Sequence, residues 1–284
     1  MRISVRARRA VATLAASAVI LTGSLFTANS AHAAPLPPDN VNVMAALGDS
    51  ITQASMTCSS LVNCPANSWA TGTTTSVASH LLRLRQTAAP DNAVGYNNSV
   101  AGAASSALNA QAQKAVTQGA KYVTIEIGAN DACTKTVTAM TPTTTFKANV
   151  QAALATLSTS PAAPRVFVAS IPNLQRMYDL NRSSLSARFA WGLLRTCQSM
   201  LANPTSTKAA DVQRRAAVQQ RVNEYNQALA EACAAYAACR YDGGAVAGYA
   251  FTKADISTRD YFHPSLSGQA TLAAITWAKT QWVS

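Results

Sequence analysis

Short apolar runs alternate with longer stretches of helical periodicity along most of the chain. The runs that predict strands cover residues 41–47, 94–98, 122–127 and 165–170. The stretches that predict helices cover residues 69–85, 103–119, 143–157, 185–200, 209–235 and 265–277. Because strands alternate with helices of this length, the pattern predicts an α/β fold in which helices cover both faces of a parallel sheet.

Polar motifs follow three of these predicted strands. Ser50 follows the first strand in the sequence Gly-Asp-Ser-Ile, Gly102 follows the second, and Asn130 follows the third in the sequence Gly-Ala-Asn-Asp. Ligand sites in open α/β sheets lie outside the carboxyl ends of the strands. We therefore expect Ser50, Gly102 and Asn130 to lie near one another at that edge of the sheet.

Ser50 is the candidate nucleophile. A tight turn after a strand can hold a serine hydroxyl clear of the sheet, but the hydroxyl is a poor nucleophile until a base removes its proton. The alternative is that Ser50 caps the following helix, since serine is a favoured N-cap residue.

Beyond residues 1–33, which have the features of an export signal, the chain contains two histidines, and they differ in their surroundings. His80 falls inside the predicted helix 69–85 between apolar residues, which favours a packed or half-exposed helix residue. His263 lies in a loop, and Pro264 after it fits the start of the last predicted helix. His263 is therefore the candidate base, with an ordinary surface loop histidine as the alternative.

Asp260 precedes His263 by three residues. A short bend could place its carboxylate against the Nδ1–H of His263, where it would set the tautomer of the ring and stabilise its charged form. Alternatively, a backbone carbonyl within residues 257–260 accepts that hydrogen bond, and Asp260 only caps a turn.

An ester-cleaving serine enzyme also needs hydrogen-bond donors for the oxyanion. The backbone N–H groups of Ser50 and Gly102 and the side-chain amide of Asn130 are the candidates. The alternatives are that Gly102 only permits a turn and that Asn130 bonds locally to the backbone of a turn.

The six cysteines all lie beyond residue 33. An even number in an exported chain predicts three disulfides, and the chain lacks the Cys-x-x-Cys motifs and nearby histidines of a zinc site. In a straight helix the Cα atoms of residues 233 and 239 would lie about 9 Å apart, too far for a disulfide, so a helix there should end within residues 234–238. The spacing favours two local pairs and leaves one long-range pair: Cys58–Cys64, Cys233–Cys239 and Cys133–Cys197.

The first 33 residues have the features of an export signal. Four arginines precede a short apolar stretch at residues 10–26, and Ala31-His32-Ala33 fits a cleavage site. A membrane anchor is the alternative, but the stretch is short and is interrupted by polar residues. We expect residues 1–33 to be removed and the remaining chain, residues 34–284, to form a single domain of about 250 residues.

The net charge narrows the choice of partners. The whole chain carries +11, and loss of the four arginines in residues 1–33, which contain no acidic residue, would leave +7. This charge would keep a secreted protein soluble or favour transient contact with an anionic lipid surface. No long run of lysine and arginine with interleaved aromatic residues is present, so we expect no nucleic-acid partner.

Four blocks of the chain resemble, in order, the conserved blocks of the SGNH (GDSL) hydrolase family. The resemblance implies a flavodoxin-like three-layer α/β/α sandwich and ester hydrolysis without a metal or other cofactor. It implies Ser50 as nucleophile, His263 as base, and Ser50, Gly102 and Asn130 as oxyanion donors. In some members of the family a main-chain carbonyl takes the role that Asp260 would have in this chain. The blocks are Gly48-Asp49-Ser50, Gly102, Gly128-Ala129-Asn130-Asp131 and Asp260-Tyr261-Phe262-His263.

Three details refine this resemblance. The opening motif ends in Ile51 where the family motif has leucine, which is a mild apolar change. The chain has no Gly-x-Ser-x-Gly motif, which argues against an ordinary α/β-hydrolase. The export signal and the six cysteines resemble those of secreted actinomycete lipases and esterases of this family, which carry three disulfides.

The resulting prediction is a secreted, monomeric serine ester hydrolase that forms an acyl-enzyme on Ser50. The apolar segment 174–206 could line an acyl-chain pocket, act as a lid or be an ordinary core helix, and together with the positive charge it favours lipid esters. The alternatives are a phospholipase A or B, a carbohydrate acetylesterase on the same fold, and a secreted binding module without catalysis. The complete set of Ser50, Gly102, Asn130 and His263 argues against the binding module.

Overall fold

Parallel strands form the centre of the fold. The computed structural model describes residues 41–87 and 92–283, and its strands are β1 Val43–Gly48, β2 Val94–Asn97, β3 Tyr122–Glu126, β4 Arg165–Val168 and β5 Cys239–Tyr241. They pair in parallel in the order β2-β1-β3-β4-β5. β1, β3 and β4 are almost completely buried, which explains why their sequences read as apolar runs.

Helices cover both faces of this sheet, which confirms the predicted α/β fold. The helices are α1 His80–Thr87, α2 Leu108–Thr117, α3 Ala129–Ala132, α4 Thr143–Ser158, α5 Leu174–Asn181, α6 Leu185–Leu194, α7 Gln198–Leu201, α8 Ala209–Ala234, α9 Ala245–Gly248 and α10 Leu266–Trp277. α2, α4 and α8 pack side by side. α1 and α10 meet through His80, whose ring lies 2.8 Å from both the Tyr122 hydroxyl on β3 and the Thr276 hydroxyl on α10.

The strand order creates a crevice at one edge of the sheet. β2 lies on one side of β1, whereas β3, β4 and β5 follow on the other side. The connections that leave β1 and β3 therefore diverge, and ligands of such sheets bind at the carboxyl ends of the strands near this reversal. The chain places Ser50 directly after β1 and Asn130 shortly after β3, which positions both at the crevice.

The predicted helix 69–85 is wrong in its first half. Residues 69–79 form turns and a short 3-10 helix at Thr75–Val77, and α1 begins only at His80. Gly72 and the threonines that follow it are poor helix formers. Long-range hydrogen bonds fix the alternative backbone here, because the Trp69 N–H donates to the Gln269 side chain at 2.9 Å.

The predicted helix 185–200 is divided into two. α6 ends at Leu194, and α7 begins at Gln198. Between them, Arg195 and Cys197 have positive φ angles of 52° and 39°, which are incompatible with a continuous helix. The sequence pattern also missed α5 and the three-residue strand β5.

The structure contains three disulfides, with the pairing that the spacing favours. They are Cys58–Cys64, Cys133–Cys197 and Cys233–Cys239. α8 ends at Ala234, within the limits that the Cys233–Cys239 bond imposes.

The predicted export signal at residues 1–33 lies outside the described residues. The division of the chain into this signal and a single domain at residues 34–284 therefore stays a prediction. Within residues 41–87 and 92–283, no helix combines the length and apolar character needed to cross a bilayer.

Candidate active site

The turn that leads to Ser50 depends on glycine at position 48. Gly48 has a φ of +148°, and a Cβ atom there would lie 2.2 Å from the carbonyl oxygen of Glu126 on β3. The Gln111 side chain holds the same residue, accepting from its N–H at 2.7 Å and donating to its carbonyl oxygen at 2.9 Å. The main chain before Ser50 is therefore fixed on both sides.

The Ser50 hydroxyl lies against His263. Nε2 of His263 is 2.8 Å from Oγ of Ser50, although the two residues are 213 positions apart in the sequence. At this distance the ring nitrogen can accept the hydroxyl proton. Residues 50–55 form turns rather than an α-helix, so Ser50 has no helix to cap.

Asp260 lies on the other side of the same ring. Its Oδ2 is 2.5 Å from Nδ1 of His263, and the Asp260 side chain is almost completely buried. Its Oδ1 accepts the backbone N–H groups of Phe262 and His263 at 3.1 Å each. These bonds orient the carboxylate, which occupies the position that a backbone carbonyl would take in the alternative arrangement.

The environment of His263 favours its charged form. Burial lowers the pKa of His263, but the hydrogen bond and the charge of Asp260, with a smaller effect of the Asp49 charge, raise it above the usual 6.5. An imidazolium formed when His263 takes a proton from Ser50 would therefore be stabilised.

The turn that carries Asp260 and His263 is held in place by main-chain contacts. The Ser257 N–H donates to the His263 carbonyl at 2.8 Å, and the Tyr261 N–H donates to the Ser257 carbonyl at 2.9 Å. The Ser257 hydroxyl donates to the carbonyl of Met56 at 2.8 Å, which ties this turn to the segment after Ser50. Base and nucleophile are thus fixed to each other before any ligand binds.

Two of the predicted oxyanion donors are available to a ligand. Among the described residues, no acceptor pairs with the backbone N–H of Ser50 or of Gly102. Both residues line the same cavity. Gly102 has a φ of +79°, and a Cβ atom there would meet no heavy atom within 4 Å, so this position faces open space.

Asn130 lines the cavity as well, but its side-chain amide is engaged. Nδ2 donates to the carbonyl oxygen of Ala103 at 3.0 Å and, over a longer 3.3 Å, to Oδ2 of Asp49. To bind an oxyanion, the amide would have to release or share the longer of these bonds.

Asp131 joins the loops that carry Gly102 and Asn130. Its carboxylate accepts the backbone N–H of Ser105 at 2.8 Å and the Ser105 hydroxyl at 2.7 Å. Asp131 thus anchors the backbone near Ser105 by accepting these bonds.

Two buried carboxyl groups lie at the carboxyl ends of β1 and β3. Asp49 and Glu126 are at most 1% exposed. Burial raises the pKa of Asp49 to about 6 and that of Glu126 well above its usual value. Sequence reasoning gave Glu126 no role, although an acidic residue within an apolar strand is a visible signal.

His80 lies away from this cluster, in the helical layer beside β3. Its ring is completely buried, and burial together with the nearby Arg83 charge lowers its pKa to about 3. Of the two environments predicted for His80, the packed one agrees with these contacts, although the residue begins α1 instead of lying inside a helix.

The candidate residues meet at one cavity of about 550 Å³. Ser50, Gly102, Asn130, Asp260 and His263 all line it. Its apolar walls come mainly from the segment around the Cys58–Cys64 disulfide and from the end of α6. The apolar residues that line it include Met56, Leu61, Val62, Leu194 and Phe262.

Comparison with protein families matches residues 46–271 to the GDSL-like Lipase/Acylhydrolase family. The matched range extends from β1 into α10 and includes all five candidate residues named above. A comparison with curated proteins gives no significant match.

Several solved structures resemble this chain. A candidate GDSL-like lipase from Parabacteroides merdae is 15% identical, with a TM-score of 0.52 over 88% of this chain and 100% of that chain. An extracellular lipase from Streptomyces rimosus is 19% identical, with a TM-score of 0.44 over 84% of this chain and 100% of that chain. A phospholipase A1 from Streptomyces albidoflavus is 18% identical, with a TM-score of 0.45 over the same shares. At such identities the likeness concerns the fold, which the first of these supports.

Proposed function

Because the chain belongs to the GDSL-like lipase/acylhydrolase family and is an ester hydrolase, we propose that it is a secreted serine enzyme that cleaves carboxylic esters of lipids. The observation that carries this proposal is the hydrogen-bonded series from Asp260 through His263 to Ser50 at the wall of one cavity. This geometry assigns a catalytic role to each of the three residues.

The first half of the reaction forms an acyl-enzyme. His263 Nε2 takes the Ser50 proton, Oγ bonds to the ester carbonyl carbon, and the carbonyl electron pair moves onto oxygen. The N–H groups of Ser50 and Gly102 bind that oxyanion, and the Asn130 amide adds a third donor once it leaves Asp49. The imidazolium of His263 then protonates the leaving alcohol as its bond to carbon breaks.

The second half releases the acid by the reverse path. His263 takes a proton from a water molecule, and the resulting hydroxide adds to the acyl carbon. The same donors bind the second oxyanion, and the bond to Ser50 Oγ breaks as His263 returns a proton to it. Asp260 keeps its negative charge throughout and holds the ring in orientation.

The walls of the cavity support a lipid ester as substrate. Leu61, Val62 and Leu194 line it, and each of their side chains is more than one third exposed without a ligand. Covering such surfaces with an acyl chain removes apolar area from water. A phospholipase A or B and a carbohydrate acetylesterase are the alternative functions, because triglycerides, phospholipids and acylated polysaccharides all present the same ester carbonyl group.

Export is supported by the disulfides. Three disulfides persist in an oxidising compartment and are rare in the cytosol. Together with the predicted signal at residues 1–33, they favour an extracellular enzyme, and we propose that it acts as a monomer.

Turnover of soluble p-nitrophenyl esters tests the catalytic assignment. Ser50→Ala and His263→Ala, each shown to be folded by circular dichroism, should lower kcat/KM by roughly 10⁴-fold or more. Ser55→Ala is the matched control, because Ser55 lines the same cavity and its hydroxyl donates only to the Asn63 side chain among the described residues. Near-normal turnover by either of the first two variants would exclude the assignment, and absence of turnover by the wild type would favour a binding module.

A chain-length series separates the substrate classes. We expect kcat/KM to rise from acetyl to medium-chain p-nitrophenyl esters because longer chains cover more of the apolar wall. Hydrolysis of phosphatidylcholine would identify a phospholipase. A strong preference for acetyl groups, with release of acetate from acetylated mannan or xylan, would instead identify a carbohydrate acetylesterase.

A further inference from the structure

α6 presents a row of large apolar side chains to solvent. Leu185, Phe189 and Leu193 are 76%, 71% and 68% exposed, and their spacing of four residues places them on one face of the helix. The opposite face holds Trp191, which is buried and stacks on Tyr178. The exposed row is therefore not needed to pack α6 against the domain.

This row continues to the mouth of the catalytic cavity. Leu194, the next residue along α6, lines the cavity together with Leu61 and Val62, which are 53% and 50% exposed. Exposed apolar residues that are contiguous in this way mark an interaction surface more often than scattered ones do. We call the following six residues the apolar rim: Leu61, Val62, Leu185, Phe189, Leu193 and Leu194.

The segments that carry the apolar rim contain no negative charge. No acidic residue occurs between Asp49 and Asp91 or between Asp179 and Asp211. Arg188 lies on α6 itself, and the exposed Arg195 follows it and lines the cavity. A surface with apolar side chains flanked by arginines complements an anionic lipid surface, whereas two copies of it would repel each other.

Disulfides connect the apolar rim to the catalytic groups. Cys197, just after α6, is bonded to Cys133, which lies three residues after Asn130. The Cys58–Cys64 disulfide closes the loop that carries Leu61 and Val62, and main-chain bonds from Met56 N–H to Val62 and from Cys64 N–H to Gln53 tie this loop to the turn after Ser50. The apolar rim is thus fixed relative to Ser50 and suits docking by a rigid face.

From these observations we propose that the apolar rim docks the enzyme on an anionic lipid surface, so that an ester passes directly from the lipid layer into the cavity. This inference rests on the proposed function, since it supplies the substrate for Ser50. The row on α6 would enter the apolar part of the layer, and Arg188 and Arg195 would lie at the level of its headgroups.

Vesicle sedimentation tests this docking. The inactive Ser50→Ala protein is mixed with vesicles of phosphatidylcholine alone, or of equal amounts of phosphatidylcholine and phosphatidylglycerol. We expect binding to the anionic vesicles, weakening as salt is raised. The change of Leu185, Phe189 and Leu193 to glutamine should lower the partition coefficient at least about tenfold, since each side chain loses apolar burial. The matched control changes Val94 and Val283, which are exposed apolar residues outside the rim, to glutamine and should bind like its parent.

The outcomes separate docking from catalysis. In the enzyme with Ser50 intact, the triple change should leave kcat/KM for a monomeric ester unchanged and lower hydrolysis of a long-chain p-nitrophenyl ester incorporated into the anionic vesicles. Failure of the wild type on monomeric esters would contradict the proposed function. Hydrolysis of monomeric esters without vesicle binding, equal binding by the triple variant, or a dimer that the triple change dissociates would each overturn the docking.

A second observation, independent of the first, concerns the buried carboxyl pair. Glu126 pairs with Gly48 in the β1–β3 register, which places it beside Asp49, and both acidic side chains are buried. Neither Glu126 oxygen has an N–H or O–H partner among the described residues. Two carboxylates that are buried side by side repel each other, so one member of the pair must be protonated.

The contacts of Asp49 indicate which member carries that proton. Asp49 Oδ1 accepts the Ile51 N–H at 2.9 Å, and its Oδ2 accepts from Asn130 Nδ2. A carboxylate that accepts such bonds is stabilised as the anion, whereas Glu126 has no comparable donor. We infer that Glu126 is protonated, donates to Asp49, and thereby acts as a positioning residue for the Asn130 amide.

Two variants test this role. Glu126→Gln keeps a neutral donor and should keep kcat for a soluble ester close to that of the wild type. Glu126→Leu removes the donor, leaves Asp49 to bind Asn130 more strongly, and should lower kcat at least about tenfold with little change in KM. Equal losses in both variants, or no loss in Glu126→Leu, would contradict the inference.

Infrared spectroscopy reads the proton without relying on catalysis. At neutral pH the wild type should show a band from a buried protonated carboxyl group that Glu126→Gln lacks. Identical spectra in this region would overturn the inference even if Glu126→Leu failed to fold.

Discussion

At the scale of single residues, the site works through the orientation of one imidazole ring. His263 has Asp260 at 2.5 Å on Nδ1 and Ser50 at 2.8 Å on Nε2. With Asp260 as acceptor the Nδ1 position carries the proton, which leaves Nε2 free to take the proton of Ser50. The tautomer of His263 is therefore the property on which Asp260 acts.

Replacement of Asp260 by asparagine should reverse that tautomer. The asparagine oxygen can still accept the N–H groups of Phe262 and His263, but its amide N–H would face Nδ1 and move the ring proton to Nε2. We expect kcat/KM for a soluble ester to fall on the order of 10⁴-fold. A fall of less than about tenfold would mean that the carboxylate does not set the tautomer.

The pH dependence of the wild type follows from the raised pKa of His263. The neutral ring is the active form, and a raised pKa means that protonation begins at a higher pH than for an ordinary histidine. As the pH is lowered, activity should therefore begin to decline at a pH above 6.5, the usual pKa of histidine. The residual activity of Asp260→Asn should decline at lower pH, because both effects of Asp260 that raise the pKa are lost; an unchanged profile would contradict this.

The principal site residues could be predicted because each occupies a distinctive sequence position. Ser50 and Asn130 follow strands, and His263 is the one loop histidine beyond residue 33. The residues that support them could not be predicted in the same way. Gln111 contacts Gly48 across 63 positions and Gln269 contacts Trp69 across 200, and no local pattern encodes such partners.

At the scale of elements, the Cys133–Cys197 disulfide links the chain after α6 to the chain after α3. Both cysteines line the catalytic cavity, and Asn130 lies within α3. The bond thus fixes one apolar wall of the cavity relative to a candidate oxyanion donor. The Cys233–Cys239 bond, between α8 and β5, joins residues that are close in sequence and outside the cavity lining.

Removal of these two disulfides should have unequal effects. The Cys133–Cys197 bond spans 64 positions, and its loss in a double serine variant should lower the free energy of unfolding by about 4 kcal/mol. The Cys233–Cys239 bond spans 6 positions, and its loss should cost about 2 kcal/mol. Urea unfolding measures both, and only the first variant should also lose kcat/KM. The reverse order, or equal losses of activity, would contradict this.

Some elements of this fold are determined by their local sequence, and others are determined by contacts with other parts of the chain. β1, β3 and β4 are buried on both faces, so their continuous apolar sequences identified them. Residues 69–79 were predicted as helix from apolar spacing alone, but the hydroxyl of Ser79 bonds to the carbonyl of Gly72, and Trp69 bonds to α10. Contacts with distant parts of the chain determine the backbone there.

At the scale of the whole molecule, the pKa values of His80 and His263 are shifted in opposite directions. His263 gains a carboxylate partner, whereas His80 is buried between α1, β3 and α10 with only hydroxyl partners for its ring nitrogens. One protonates readily at the active site, and the other stays neutral in the interior. Protonation of His80 therefore lowers stability in acid, and protonation of His263 lowers activity in acid.

His80 should make the protein less stable as the pH falls. The unfolded chain binds a proton on this residue near pH 6.5, but the folded protein resists it until about pH 3. Between these limits the free energy of unfolding should fall by up to about 1.4 kcal/mol per pH unit. Urea unfolding of the wild type and of His80→Gln across this range measures the difference, and parallel pH profiles would contradict the assignment.

The most direct test of the central claim, that Ser50 is the nucleophile, is covalent labelling by an alkyl phosphonate ester followed by peptide mass spectrometry. We predict one adduct, on the peptide that contains Ser50, in the wild type and in Ser55→Ala, with loss of esterase activity in proportion to labelling. Ser50→Ala should carry no adduct. An active wild type that is not labelled, or that is labelled at another residue, would contradict the assignment of Ser50.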